Sequence, residues 1–155
     1  MIFDQLQTLD ELLRDPAEGL TQTVQEVANA KGVIVPLPGE ISTWRIKWPG
    51  EFAAYPALQQ FWREAPRMEL KTQGAWDGDF GFQWVLWFQV ADVDVQKHIA
   101  IYMHAIRRIL DRVPGRGTIK EVSGVRAADV PMREVGSQYA GVAIEFFTTE
   151  LDMQP

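Results

Sequence analysis

Phe80-Gly81-Phe82-Gln83-Trp84-Val85-Leu86-Trp87-Phe88-Gln89-Val90 runs through Ala91-Asp92-Val93-Asp94 into a segment of different period. Its even positions, Phe80, Phe82, Trp84, Leu86, Phe88 and Val90, are all large and apolar. Its odd positions, Gly81, Gln83, Val85, Trp87 and Gln89, are mixed. A strand sends alternate side chains to opposite faces, so the even set is expected to face a core. At about 3.3 Å per residue this strand would reach roughly 36 Å, longer than an ordinary strand. After Asp94 the apolar residues Val95, Ile99, Tyr102, Met103, Ile106, Ile109, Leu110 and Val113 recur at helical spacing. Asp92 or Asp94 is placed to cap the first turn. Arg107, Arg108 and Arg112 fall in the last turns, opposite the negative end of the helix dipole. The simplest core is one apolar helix face laid across one apolar sheet face.

Working back to the start, Ile2, Phe3, Leu6, Leu9 and Leu13 mark a first helix. Asp15-Pro16-Ala17-Glu18 has the spacing of a capping box and is expected to open a second helix. Leu20, Val24, Val27 and Ala28 would form its buried face, with Gly32 as its stop. Val33-Ile34-Val35 is expected to be a short strand ended by Pro36-Leu37-Pro38-Gly39. Ser42 to Trp48 alternates again, with Trp44, Ile46 and Trp48 on one face, and Pro49-Gly50 ends it. Tyr55 to Trp62 is a further extended segment. Arg63 to Pro66 is expected to be a loop, Met68 to Gln73 a strand, and Gly74 to Gly78 a hairpin loop into the long strand. Beyond the long helix, Pro114-Gly115-Arg116-Gly117 is a breaker. Thr118 to Arg126 is expected to be a strand with a bulge at Gly124, and Asp129 to Ser137 a loop. Tyr139 to Thr148 is the last strand and Leu151 to Pro155 a tail. Without repeats, linkers or low-complexity tracts, residues 1–155 are expected to form one domain. The expected fold class is α+β, an antiparallel or mixed β-sheet with helices packed mainly on one face.

The second sheet face is less polar than open water would favour. Val85, Trp87, Tyr139, Ala143 and Phe147 fall on it, so either another part of the chain or another subunit is expected to cover it.

The composition narrows the chemistry. The chain has 155 residues, 46% hydrophobic and 23% charged, as expected of a globular domain with a real core. A formal net charge of −6 disfavours a general grip on nucleic-acid phosphates. There is no cysteine, which excludes disulfides, thiolate metal sites and cysteine nucleophiles. The first residues show no signal-peptide pattern, and no apolar run reaches the length of a membrane helix, so a cytoplasmic product without membrane attachment is expected.

Catalytic and metal-binding patterns are missing. His98 and His104 lie six apart, about 120° from a shared helix face, and cannot act as the metal pair of an H-E-x-x-H helix. Each is expected at the surface or its boundary. Asp92 and Asp94 offer too few oxygens for a hard cation. Gly115-Arg116-Gly117 lacks the spacing of a phosphate loop. Ser42, Ser123 and Ser137 are the only serines, none in a nucleophile motif. No cofactor is implied. An enzyme is unsupported, with Asp77 and Asp79 the least implausible carboxylates.

The six tryptophans are the other resource: Trp44, Trp48, Trp62, Trp76, Trp84 and Trp87. Trp84 belongs to the core set. Trp76 and Trp87 are candidates for an interface, where Trp often anchors binding, or for burial within the subunit. Arg107, Arg108, Arg112 and Arg116 cluster at the helix end. They either answer the dipole and water or meet an acidic neighbour subunit or passing DNA.

The order of these segments resembles the small tail-terminator (tail-completion) proteins of long-tailed bacteriophages. The resemblance rests on the N-terminal helical stretch, then Tyr55-Pro56-Ala57-Leu58, then the aromatic strand ending in Ala91-Asp92-Val93-Asp94. It continues with Tyr102-Met103-His104-Ala105-Ile106-Arg107-Arg108-Ile109-Leu110 and Tyr139-Ala140-Gly141-Val142-Ala143-Ile144-Glu145-Phe146. These are packing patterns that cover most of the chain. Related neck and head–tail joining proteins share the outline. The resemblance implies an α+β subunit, not an enzyme, that assembles with itself into a ring, hexameric in the family, on the end of the tail tube. The ring stops tube polymerisation and meets the head connector, and DNA passes through it without specific binding. It implies a place in the virion, reached from the host cytoplasm. Trp87, Tyr139, Phe147 and Trp76 are then expected at the subunit or tube interface, with Arg107, Arg108 and Arg112 making polar contacts there. The rival expectations are another neck or head–tail joining component, or a Trp-rich module for a carbohydrate or peptide ligand.

Overall fold

A computed structural model describes residues 2–72, 75–91, 93–130 and 138–150, with side chains over 3–63, 80–91, 93–130 and 138–150. The chain is α+β, and its described residues form three helices and a five-stranded mixed sheet. Helices α1 (Ile2–Arg14) and α2 (Leu20–Lys31) come first. Strand β1 (Glu40–Ser42), β2 (Ala57–Thr72) and β3 (Ala75–Gln89) follow, then α3 (Val95–Asp111), β4 (Ile119–Asp129) and β5 (Tyr139–Glu150). The strand order is β1-β2-β3-β5-β4. Only β1 runs parallel to its neighbour; β2, β3, β5 and β4 alternate in direction.

The period-two stretch reads as expected up to Phe88, but Val90, expected in the core set, lies past the end of β3 and is 41% exposed. Phe80, Phe82, Trp84, Leu86 and Phe88 are all buried on one face of β3. Register sets Leu86 beside Leu58 and Val142, Trp84 beside Gln60 and Ile144, and Phe82 beside Phe146. Against this face lie Leu9, Leu12 and Leu13 of α1, Leu20, Val24 and Val27 of α2, and Ile101, Tyr102, Ile106 and Ile109 of α3. Fully burying one such side chain is worth about 1.5–3 kcal/mol, so this layer dominates the fold. Polar groups inside it are partnered. Trp84 donates its indole N–H to Gln60 Oε1 at 2.7 Å, and Gln60 donates to Thr43 Oγ1 at 3.2 Å. Thr43 in turn donates to Asp10 at 2.6 Å. Tyr102 donates to the Pro36 carbonyl at 2.7 Å, and burial pushes its phenol well above the usual range.

Several local expectations are corrected. Arg63 to Pro66 is no loop: β2 runs through it, with register shifts at Trp62–Glu64 and Glu64–Arg67 that absorb Pro66 as irregularities. Ser42 to Trp48 is no strand beyond Ser42. The Ser42 hydroxyl turns back onto the Arg45 carbonyl, and the Lys47 N–H goes to Gln59 Oε1 at 2.8 Å rather than into a ladder. Val33 to Val35 belongs to no strand among the described residues. Asp15 accepts the N–H groups of Ala17 at 2.7 Å and Glu18 at 2.9 Å, which lowers its pKa, but it caps a separate turn. The N-cap of α2 is Gly19. Asp94 stands at the N-cap of α3 without a side-chain capping bond; Asp92 lies outside the described residues. His98 is 6% exposed, in the buried face of α3 rather than at the surface. The Gly32 stop holds, with φ 66° and its N–H on Ala28 and Asn29. So does the bulge at Gly124, whose φ is 62°. The expected loop over Asp129 to Ser137 and the tail fall mostly outside the described residues.

Candidate assembly surfaces

The odd face of β3 is half covered by the chain itself. Register puts Trp87 beside Ala57 and Gly141, Val85 beside Gln59 and Ala143, and Gln83 beside Phe61 and Glu145. At the Trp87 end the segment before β2 folds over the sheet. Phe52, Ala57, Val85 and Trp87 form a small second core, flanked by Tyr55 and Val130. Tyr55 stacks edgewise on Phe52 and accepts the Gly50 N–H at 2.7 Å. Gly141 makes room for the indole, since a Cβ there would lie 2.5 Å from the Trp87 ring.

Towards Gln83 the cover stops, and the face opens into a concavity of about 480 Å³. Trp48, Phe61, Trp62 and Trp87 supply its aromatic lining, and Arg63, Gln83, Asp129 and Glu145 its polar groups. Glu145 binds the Arg63 guanidinium and accepts from Arg126 at 2.7 Å. The Arg126 hydrogen bond, helped by the charges of both arginines, holds this carboxyl below the ordinary glutamate range.

The interface residues expected from sequence do not form one patch. Trp87 is 4% exposed and lies inside the subunit, which corrects its placement as an open interface side chain. Tyr139 is half-buried, with its ring centroid 5.2 Å from that of Tyr55. Phe147 is 39% exposed and sits over Gly124 at the bulge of β4. It lies about 27 Å along β5 from Tyr139, at roughly 3.4 Å per residue. Trp76 pairs through its backbone with Leu70, and its side chain lies outside the described residues, as do those of Asp77 and Asp79.

The arginine cluster divides likewise. Arg112 donates to the Glu18 carbonyl and to Thr23 Oγ1, both at 2.8 Å, tying the end of α3 to the start of α2. Arg116 donates to the Arg112 carbonyl at 2.8 Å and pairs with the Glu18 carboxylate. These two are structural clamps, not open contacts. Arg108 is half-buried. Arg107 is exposed and edges a second hollow, of about 380 Å³, between α3 and the underside of β4.

Four exposed apolar groups gather in one region, three of which, Trp44, Ile46 and Trp48, the sequence places on a strand face. Trp44 is 54% exposed, Ile46 60%, Trp48 60% and Trp62 47%. All four flank the β1–β2 edge of the sheet: Thr43 bonds Gln60, Lys47 bonds Gln59, and Trp48 packs near Phe61. The available signal was the brevity of the Ser42–Trp48 run, closed by Pro49-Gly50.

Among the described residues, no three His, Asp or Glu side chains gather as metal ligands, and no helix is long and apolar enough to cross a membrane. Comparison of the chain with protein-family models and with curated proteins gave no match.

Proposed function

We propose that this chain is a structural subunit of a phage virion, a tail terminator that assembles with itself into a ring on the tail tube. The observation that carries an assembly role is the exposed set Trp44, Ile46, Trp48 and Trp62 on one sheet edge. Large aromatic side chains left exposed beside a sheet edge are typical anchors of protein–protein contacts. The step from assembly to tail termination rests on the order and type of the segments, as set out from the sequence. The net charge of −6 suits a wall past which DNA slides without being gripped. Its partners would be copies of itself, the tube protein and the head connector, and its place the virion after assembly in the host cytoplasm.

The test is the native mass of the purified chain by light scattering, with negative-stain images of the same peak and of tail tubes incubated with it. Rings, or caps on tube ends, are expected. A monomer that neither self-associates nor binds tubes would refute the proposal. One observation favours a second function. A concavity of about 480 Å³ with three tryptophans and four polar side chains falls within the size of small-ligand sites. A carbohydrate or peptide module would then show saturable quenching of tryptophan fluorescence, lost on Trp48→Ala.

A further inference from the structure

The two edges of the sheet are unlike each other and complementary. β4 forms one edge. Along its 11 residues only Ile119 is buried and Val122 half-buried. Its outer backbone pairs with no described strand. A strand open on both faces and one edge is marginal on its own account and lacks a neighbour. Beneath it lies the hollow of about 380 Å³, walled by Met103, Leu110, Val125 and Ala127, with Arg107 at its rim. Val125 is 52% exposed there.

The opposite edge is β2. β1 covers it only from Ala57 to Gln59, and the rest, 60–72, has no described strand outside it. This edge carries the projecting Trp44, Ile46, Trp48 and Trp62. One edge therefore offers bulky apolar side chains, of which Trp44 packs on Phe3 in the helix layer, and the other an open apolar hollow on that same helix-covered face.

Strand direction decides how copies could meet. β2, β3, β5 and β4 alternate, so β4 runs opposite to β2. Copies repeated head to tail about an axis along the strands would set β4 of one beside β2 of the next in antiparallel order, the more stable pairing. The lengths agree at about 36 Å for β4 and about 43 Å for the free part of β2, taking roughly 3.3 Å per residue. Pairing β4 with β4 would bring hollow against hollow and leave the aromatic edge in water.

We infer that neighbouring copies of this chain join edge to edge, β4 of one to the free edge of β2 of the next, as one continuous antiparallel sheet. The inference rests on the ring proposed above and names its seam. The bulge at Gly124 would restrict the register and guard against indiscriminate stacking.

The absence of cysteine makes the test direct. Arg45→Cys marks the aromatic edge, and Ser123→Cys or Ala127→Cys marks β4; all three side chains are exposed. Native mass is measured first, then a short bismaleimide is added. Covalent dimers are expected when the Arg45 and Ala127 variants, or the Arg45 and Ser123 variants, are mixed, and neither variant alone should react with itself. A chain carrying both Arg45→Cys and Ala127→Cys should give a ladder of multimers. An Ala127→Glu variant should dissociate while keeping its circular dichroism. A ring that forms without cross-links between the two edges, or with β4-to-β4 cross-links, overturns the seam but not the ring. A chain that stays monomeric both alone and in the presence of tail tubes overturns both.

Discussion

Trp84→Phe should expose how far one buried hydrogen bond holds the central strand. Trp84 is fully buried, and its indole N–H meets Gln60 Oε1 at 2.7 Å, with Gln60 itself 1% exposed. Phenylalanine keeps an aromatic ring but loses the donor and part of the volume. The orphaned Gln60 oxygen costs about 1–3 kcal/mol. The partly refilled space costs about another 1–2 kcal/mol. Together these give about 3 kcal/mol, which lowers the melting temperature by roughly 6–12 °C for a chain of this size. Urea unfolding followed by circular dichroism measures it. The decisive control is a double-mutant cycle with Gln60→Leu. That change alone orphans the indole N–H, whereas the double variant leaves neither group unpaired. The Gln60 amide also donates to Thr43, but Thr43 keeps its own bond to Asp10, so this loss is minor. A favourable coupling of about 1–2 kcal/mol between the two sites is expected. Additive effects, or a loss below about 1 kcal/mol for Trp84→Phe, would refute the view that this pair is a working buried hydrogen bond.

Arg112→Ala should destabilise by about 1–2 kcal/mol, because it removes two bonds to α2, while Arg107→Ala should leave the unfolding midpoint unchanged. Gly124→Ala should cost about 1–2 kcal/mol in thermal unfolding, since φ is 62° and the new Cβ would sit 2.9 Å from the Phe147 ring. Gly141→Ala should disturb near-ultraviolet dichroism, because its Cβ would meet the buried Trp87 ring at 2.5 Å. The Glu145 carboxyl is held below its ordinary value, so its contribution is complete at neutral pH and is lost as pH falls through the lowered value. The urea midpoints of the native chain and Glu145→Gln should therefore differ at pH 7 and converge in acid, and parallel pH curves would contradict the pairing with Arg126 and Arg63.

Much of the fold was legible because its signals are local. The alternation in Phe80 to Val90 and the helical period after Asp94 each need only neighbouring residues; the helix formed where expected, and the strand formed through Gln89 but begins earlier, at Ala75, within the expected hairpin loop. The Gly32 and Gly124 assignments rest on backbone freedom, which a single residue carries. The errors fall where a distant partner competes. Trp44, Ile46 and Trp48 alternate like a strand, yet Gln59 takes the Lys47 N–H and the ladder ends at Ser42. Arg63 to Pro66 looks like a loop, yet pairing with β3 carries β2 through it by shifts of register. The candidate surface was the least legible. Side-chain type marked Trp87 and Trp48 alike, but only the fold-over of Phe52 and Tyr55 separates the buried indole from the open one.

The sequence by itself determined the α+β class, the main strand and helix, and which face of that strand is core. These follow from periodicity, a property of the chain read one turn or one pleat at a time. Only the tertiary structure decided the strand order, the clamping of Arg112 and Arg116 onto α2, and the unequal edges of the sheet. Exposure is set by what comes to lie on top of a residue, and that cover arrives from parts of the chain tens of residues away.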